Sequence, residues 1–265
     1  MTDDRLLEAA RNNAEWCDAV CRSHGSPGTF SALSWTNPGV SPTYYPDAVT
    51  LSPEGTWDDL LAGVEGKRSA SVKDSFAVLQ PPPGWDLLFE AEWIHRPAAT
   101  TTGEAITPTA TGVTITPAAT GEATALTDET TAPTGVAIAP AATGDVIVWE
   151  AVRDAGTLRD WERACFPADD GDLFRPSLLS EVTVLAGRID GDIVCGAALN
   201  ASGSVVGVSN VFALGCDLDA AWSGTVALAA ELFPGRPLVG YETDPTPASR
   251  HGFTPIGPLR VWLKA

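Results

Sequence analysis

Basic residues are scarce in this chain. Lys and Arg number 16 against 34 Asp and Glu, a formal net charge of −18. Without a surplus of cations the phosphate-neutralising contribution is missing, which argues against non-specific binding to nucleic acid or an anionic membrane. Such a charge serves solubility and says little about fold. Long apolar runs are also absent: nothing approaches the ~20 consecutive residues of a membrane-spanning helix. The opening MTDDRLLEAARNN is acidic and amphipathic, unlike a secretory signal, so a cytoplasmic protein is expected. No Walker-type loop and no GxGxxG occurs, so nucleotide hydrolysis and dinucleotide redox chemistry find no support.

Cysteine and histidine are few, at 5 and 3 residues. No CxxC is present. Cys17 and Cys21 lie on one helical face, but no His is near them in sequence, so a closed zinc site lacks ligands. Cysteines embedded in apolar patterns read as reduced core residues. His24 precedes Gly25 at a helix end, His95 ends a strand and His251 sits in a short helix. No Ser/His/Asp set is recognisable by spacing, because such sets are defined by geometry.

What is present concentrates between Val182 and Glu242. Three strand-like runs, VTVLAGRI, DIVCGAAL and SVVGVSNVF, are joined by Asp190-Gly191 and by Asn200-Ala-Ser-Gly203. The first joint suits the positive φ angles of a tight hairpin. A helix follows, with Leu218, Trp222, Val226, Ala229 and Phe233 on one predicted face. Pro234-Gly235 ends it, and PLVGYE reads as a buried strand. Meander, helix, then strand is an α/β arrangement with its crossover at the last step.

The flanking regions differ from each other. Residues 5–23 read as a helix; FSALSW, DAVTL, ASVKDSFAVL and WDLLFEAEWIHR read as strands, with TWDDLLAGV a short helix opened by a Thr56/Asp59 capping box. Together they form an N-terminal α+β domain, 1–97, in need of a partner surface. Asp47, Lys73, Asp74 and Glu92 are polar residues inside its strand-like runs, placed to line a cleft or to face solvent. Residues 98–145 are dominated by Thr, Ala, Gly and Pro and contain no Lys or Arg. TGVTITPAATGE, from Thr111, recurs as TGVAIAPAATGD from Thr134. Two copies are too few for a solenoid, so a flexible linker is expected, with a surface hairpin of the VTI and VAI segments as the alternative. Beyond it come the strand VIVWEAVRD, the helix GTLRDWERAC with Thr157 as N-cap, and the turn LFRPSLLSE.

From Val146 onward the order of elements, closing on HGFTPIGPLRVWL, resembles the GNAT superfamily of acetyl-CoA-dependent N-acyltransferases. The resemblance covers 146–265 and leaves 1–97 as a degenerate second copy or a private domain. It implies a mixed, mostly antiparallel sheet with flanking helices, whose fourth strand (Val205–Phe212) splays from the fifth (Leu238–Glu242). In that cleft the pantetheine arm of acetyl-CoA or another acyl-CoA would meet backbone groups around Val208, Ser209, Asn210 and Val211. Gly215 would belong to the pyrophosphate loop. That loop, AlaLeuGlyCysAspLeuAspAla, departs from the family pattern: it has no basic residue, and Asp217 or Asp219 is a natural N-cap that would compete for the pyrophosphate's donors. The family's frequent Tyr acid, four residues before the Gly-Phe pair, is replaced by Ala248. Glu242 as base and Tyr241 as acid are the remaining candidates for acyl transfer to a small amine. The rival reading is a catalytically silent module that binds a small ligand or a protein partner.

Overall fold

The computed structural model describes residues 3–98, 113–114, 136–138, 146–168 and 172–264. Helix α1 (Asp4–Ser23) is capped by the Asp3 carboxylate and released at Gly25, where φ is +74°. Three short strands follow: β1 (Thr29–Phe30), β2 (Ser34–Thr36) and β3 (Ala48–Thr50). A 3-10 turn (Asp58–Leu60) runs into α2 (Leu61–Val64), then β4 (Ser71–Asp74) and β5 (Trp85–Arg96). β6 (Val113–Thr114) pairs with β7 (Val136–Ile138), and β7 with β8 (Ile147–Ala151). The other residues of the expected 98–145 linker, Ala98 apart, lie outside the described residues. The chain continues through α3 (Ala155–Cys165), a 3-10 turn (Pro176–Ser180), and the meander β9 (Thr183–Ile189), β10 (Asp192–Ser202) and β11 (Val205–Ala213). It closes with α4 (Leu218–Leu232), β12 (Leu238–Glu242), α5 (Thr246–Ser249) and β13 (Thr254–Lys264).

Among the described residues these strands form one 13-stranded sheet, in the order β1-β2-β3-β4-β13-β5-β12-β11-β10-β9-β8-β7-β6. It is antiparallel except at β3–β4 and β11–β12. The two halves of the chain interleave at its centre: β13 lies between β4 and β5, and β5 between β13 and β12. Helices α1 and α3 share one core with the Pro176–Ser180 turn, built on Trp16, Trp35, Leu158, Trp161 and Leu178. α4 packs a second core with Trp149, Leu185, Trp222, Leu228 and Phe253. α1 is joined to the C-terminal half by a reciprocal pair: Asn12 Nδ2 donates to the Asn200 carbonyl and Asn200 Nδ2 to the Asn12 carbonyl, each at 3.0 Å. No helix among the described residues is long and apolar enough to cross a membrane.

Several local expectations shift. Asp154, not Thr157, caps α3: its carboxylate accepts the N–H groups of Gly156 and Thr157 at 2.9 and 3.0 Å, and Thr157 Oγ1 donates to it. The loop expected at 200–203 tightens to Gly203-Ser204, because β10 keeps pairing with β11 through Ser202. The strand expected over 70–79 stops at Asp74, whose side chain turns the following backbone into a loop. The buried face of α4 is Ala221, Trp222, Thr225, Leu228 and Ala229, rotated from the predicted stripe, with Leu218 at the exposed end. That helix is apolar nearly all round, so its period does not identify the inner face. Gly224 sets the actual orientation, since a Cβ there would overlap the Trp149 indole.

Candidate functional site

Strands β11 and β12 pair at two positions, Val206↔Leu238 and Gly207↔Val239, and then diverge. Gly240 sits where they part; a Cβ at this position would lie 2.6 Å from the Val208 carbonyl oxygen, so a side chain would push the strands wider still. Beyond this point β11 carries an irregularity. Its pairing with β10 shifts between Gly196 and Ala198, and Asn210 takes a φ of +53°, a conformation that Asn tolerates better than most residues. The edge of β11 that faces β12 thereby loses its ladder partner.

A cavity of about 260 Å³ fills the divergence. Val208, Ser209, Asn210 and Val211 line one wall, Tyr241 and Glu242 another. The cavity thus brings together six of the seven residues singled out from the sequence. Gly215 is the exception: it packs against Val194 away from this cavity, and its N–H donates to the Val194 carbonyl at 3.3 Å.

The remaining walls come, Lys73 apart, from residues assigned no site role in advance. α1 contributes Asn13, Trp16 and Cys17; the loop before β3 contributes Tyr44 and Tyr45; β4 contributes Lys73; and Phe166 follows α3. Tyr44 stacks on Phe166 with ring centroids 5.7 Å apart, so the two halves of the chain meet at the rim. Of the polar strand residues noted in the N-terminal half, Lys73 faces this cavity, whereas Asp47 is paired with Lys67 at 2.5 Å and lines a separate hollow. A lysine in the middle of an apolar strand was the available signal; the contributions of α1 were hidden, because its face reads equally well as plain core.

The electrostatics of the walls are uneven. Burial, reinforced by the neighbouring Asp244, pushes the Glu242 carboxyl up to about 7. Tyr241 packs edge-on against Trp93 at 5.6 Å, and the Lys73 ammonium lies 4.3 Å above its ring. Burial also pushes the Cys17 thiol up, as expected of an inert core cysteine. Among the described residues no cluster of three or more His, Cys, Asp or Glu side chains is placed to hold a metal ion.

The start of α4 is partly satisfied. Leu214 N–H donates to the Val194 carbonyl at 2.7 Å, and the Asp217 carboxylate accepts the Asp219 N–H at 3.0 Å. Asp219 in turn accepts from Arg250 at 3.1 Å and faces His251 at 3.4 Å. A basic residue absent from the loop in sequence is thus supplied across space by Arg250, just after α5. Desolvation works to raise the Asp219 carboxyl, but hydrogen bonds from Arg250 and His251 outweigh it and hold the group below the usual carboxylate range. At the start of α4 the Asp217 carboxylate thus occupies the Asp219 N–H, one of the donors an incoming anion would need.

No family model and no curated protein matches the sequence. Solved structures do. The chain is similar to a GCN5-related N-acetyltransferase from Kribbella flavida, with a TM-score of 0.54 at 13% identity over 97% of this chain and 95% of that one. It is also similar to a candidate GNAT-family acetyltransferase from Novosphingobium aromaticivorans, with a TM-score of 0.50 at 13% identity over 94% and 96%. A functionally unknown conserved protein from Staphylococcus epidermidis gives 0.52 at 9% over 89% and 92%. At such identities the likeness is one of fold, a distant GNAT-like architecture, and it extends over nearly the whole chain rather than over 146–265 alone.

Proposed function

We propose that this protein binds an acyl-CoA in the β11–β12 divergence and transfers its acyl group to a small amine. The observation that carries this reading is the cavity itself, which places a half-buried glutamate and a tyrosine beside an unpaired strand edge. The backbone around Ser209–Val211 would receive the pantetheine amides and polarise the thioester carbonyl. Glu242, with its carboxyl near neutrality, is suited to take a proton from the attacking amine, and Tyr241 to return one to the departing sulfur. The N–C bond formed balances the C–S bond broken.

The 1–97 and 146–265 segments, in this reading, are two copies of one unit that exchange strands. Each holds a three-strand meander, then a helix, then a strand parallel to the meander's last: β1–β2–β3, α2 and β4 in one; β9–β10–β11, α4 and β12 in the other. Reversing the sheet order from β1 to β9 exchanges β4 with β12 and β5 with β13. The residues between, 98–145, would be an insertion joining the copies.

A second reading, a catalytically silent module, is favoured by the loop leading into α4, where the Val194 carbonyl takes the Leu214 and Gly215 N–H groups and the Asp217 carboxylate takes that of Asp219. Calorimetric titration of the full chain with acetyl-CoA and a longer acyl-CoA separates the two. Binding is expected, and it raises the melting temperature by mass action. Failure of both to bind at millimolar concentration would leave the silent module.

A further inference from the structure

Lys73 is an anomaly that acyl transfer leaves unexplained. It is 3% exposed, in the second-last position of β4, with its ammonium directed at the cavity. An ammonium has three donors. One is used by Asn13 Oδ1 at 2.6 Å, and the Tyr241 ring offers only its π face. Among the described residues no carboxylate lies within 4.0 Å of it. The adjacent Asp74 is engaged elsewhere, its carboxylate accepting the N–H groups of Val78 and Leu79. Lys67, in the same half of the chain, shows the usual solution, an ion pair with Asp47. A buried charge without a counter-charge is costly, so an anionic ligand that supplied one would be bound with a gain in free energy.

We infer that Lys73 heads a carboxylate subsite, and that the small amine of the proposed reaction carries a carboxylate, as a free amino acid does. This rests on the acyltransferase reading. The cavity is below the range typical of drug-sized ligands, and aromatic rings of Trp16, Tyr45 and Tyr241 supply its apolar walls. A single lysine among such walls suits a singly charged carboxylate; phosphate sites gather several donors. With Glu242 on the β12 side, the two ends of a zwitterion find opposite partners: carboxylate to Lys73, amine to Glu242. The same carboxylate could instead arrive on the acyl group, as in a dicarboxylic acyl-CoA.

The test uses the full chain. The common amino acids, each beside its own amide, are screened by thermal shift at millimolar concentration, and any that bind are titrated by calorimetry. At least one acid is expected to bind about tenfold or more tightly than its amide, as loss of a charge-assisted hydrogen bond requires. Lys73→Met keeps the side-chain stem, removes the charge, and is expected to raise the free protein's melting temperature while erasing that preference. In a parallel arm succinyl-CoA is compared with acetyl-CoA. A preference for succinyl-CoA that disappears in Lys73→Met assigns the carboxylate to the acyl group rather than the acceptor. If neither arm shows a preference in the parent, or if Lys73→Met retains it, the subsite does not exist. Acetyl-CoA binding without any carboxylate preference would sink this inference and leave the acyltransferase reading standing; an acid-over-amide preference without acyl-CoA binding would do the reverse.

Discussion

The sheet contains two places where a parallel pair of strands begins and then parts, and they have opposite outcomes. In the N-terminal half β3 and β4 pair at Ala48↔Val72 and Val49↔Lys73. There the gap is sealed: Ser75 N–H donates to Thr50 Oγ1 at 2.8 Å, and Asp74 gathers the N–H groups of Val78 and Leu79 at 3.2 and 2.9 Å. Thr50, Asp74 and Ser75 are all fully buried. In the C-terminal half β11 and β12 pair over the same two-residue length, but among the described residues no side-chain hydrogen bond bridges the gap beyond, and a cavity remains. Divergence of parallel strands is thus not enough to make a site. What decides is whether the next polar side chains are turned inward to satisfy backbone or left facing open space.

The contrast is sharpest in the carboxylates that end the two strands, Asp74 and Glu242. In the open cleft the proposed chemistry makes Glu242→Gln the most damaging change. It is expected to slow turnover by about 10²–10⁴-fold with little effect on acyl-CoA affinity, read from kcat beside a calorimetric Kd. In the sealed gap the corresponding loss is structural. Asp74→Ala strands buried N–H donors and is expected to cost about 3–5 kcal/mol by denaturant unfolding. A loss below about 1 kcal/mol would mean that water replaces the carboxylate and that the gap is not sealed.

A third comparison is set by pH. The Glu242 carboxyl, raised from 4.5 to about 7, binds its proton more tightly in the folded state than in the unfolded one. The associated stability is fully present below about pH 4.5 and is lost as pH rises through about 7. Glu242→Gln should therefore exceed the parent's stability near pH 8, by up to roughly 3 kcal/mol, and match it near pH 4. A constant difference across that range would place the glutamate in solvent. The smallest effect concerns the α4 terminus. Asp217→Asn retains the cap and removes a charge, and is expected to improve acyl-CoA affinity by about 0.3–1 kcal/mol, more at low salt. Unchanged affinity would show that the pyrophosphate lies elsewhere.

Legibility from sequence followed the range of the interactions. The meander was readable because its signals are local: Asp190 and Gly191 adopt φ of +51° and +93°, as a tight two-residue turn demands. The strand walls of the cavity followed from element order. Asn13, Trp16 and Tyr45 did not, since nothing in residues 1–97 tells α1 to lie across a strand more than 180 positions later. The cap of α3 was misplaced because Asp154 and Thr157 are both competent caps and bond to each other. The placement of β13 was equally hidden, because edge and centre strands share one alternating pattern.

That placement has a consequence for how the protein is made. Among the described strands β13 is the last in sequence, yet it occupies an interior position between β4 and β5. Until β13 is in place, the long edge of β5 and the short edge of β4 stand open, with their hydrogen-bonding groups available to any neighbouring polypeptide. Sequence-distant pairing of this kind gives a high contact order and slow closure. The nascent protein therefore passes through an aggregation-prone interval that an otherwise identical sheet, with its latest strand at the rim, would avoid.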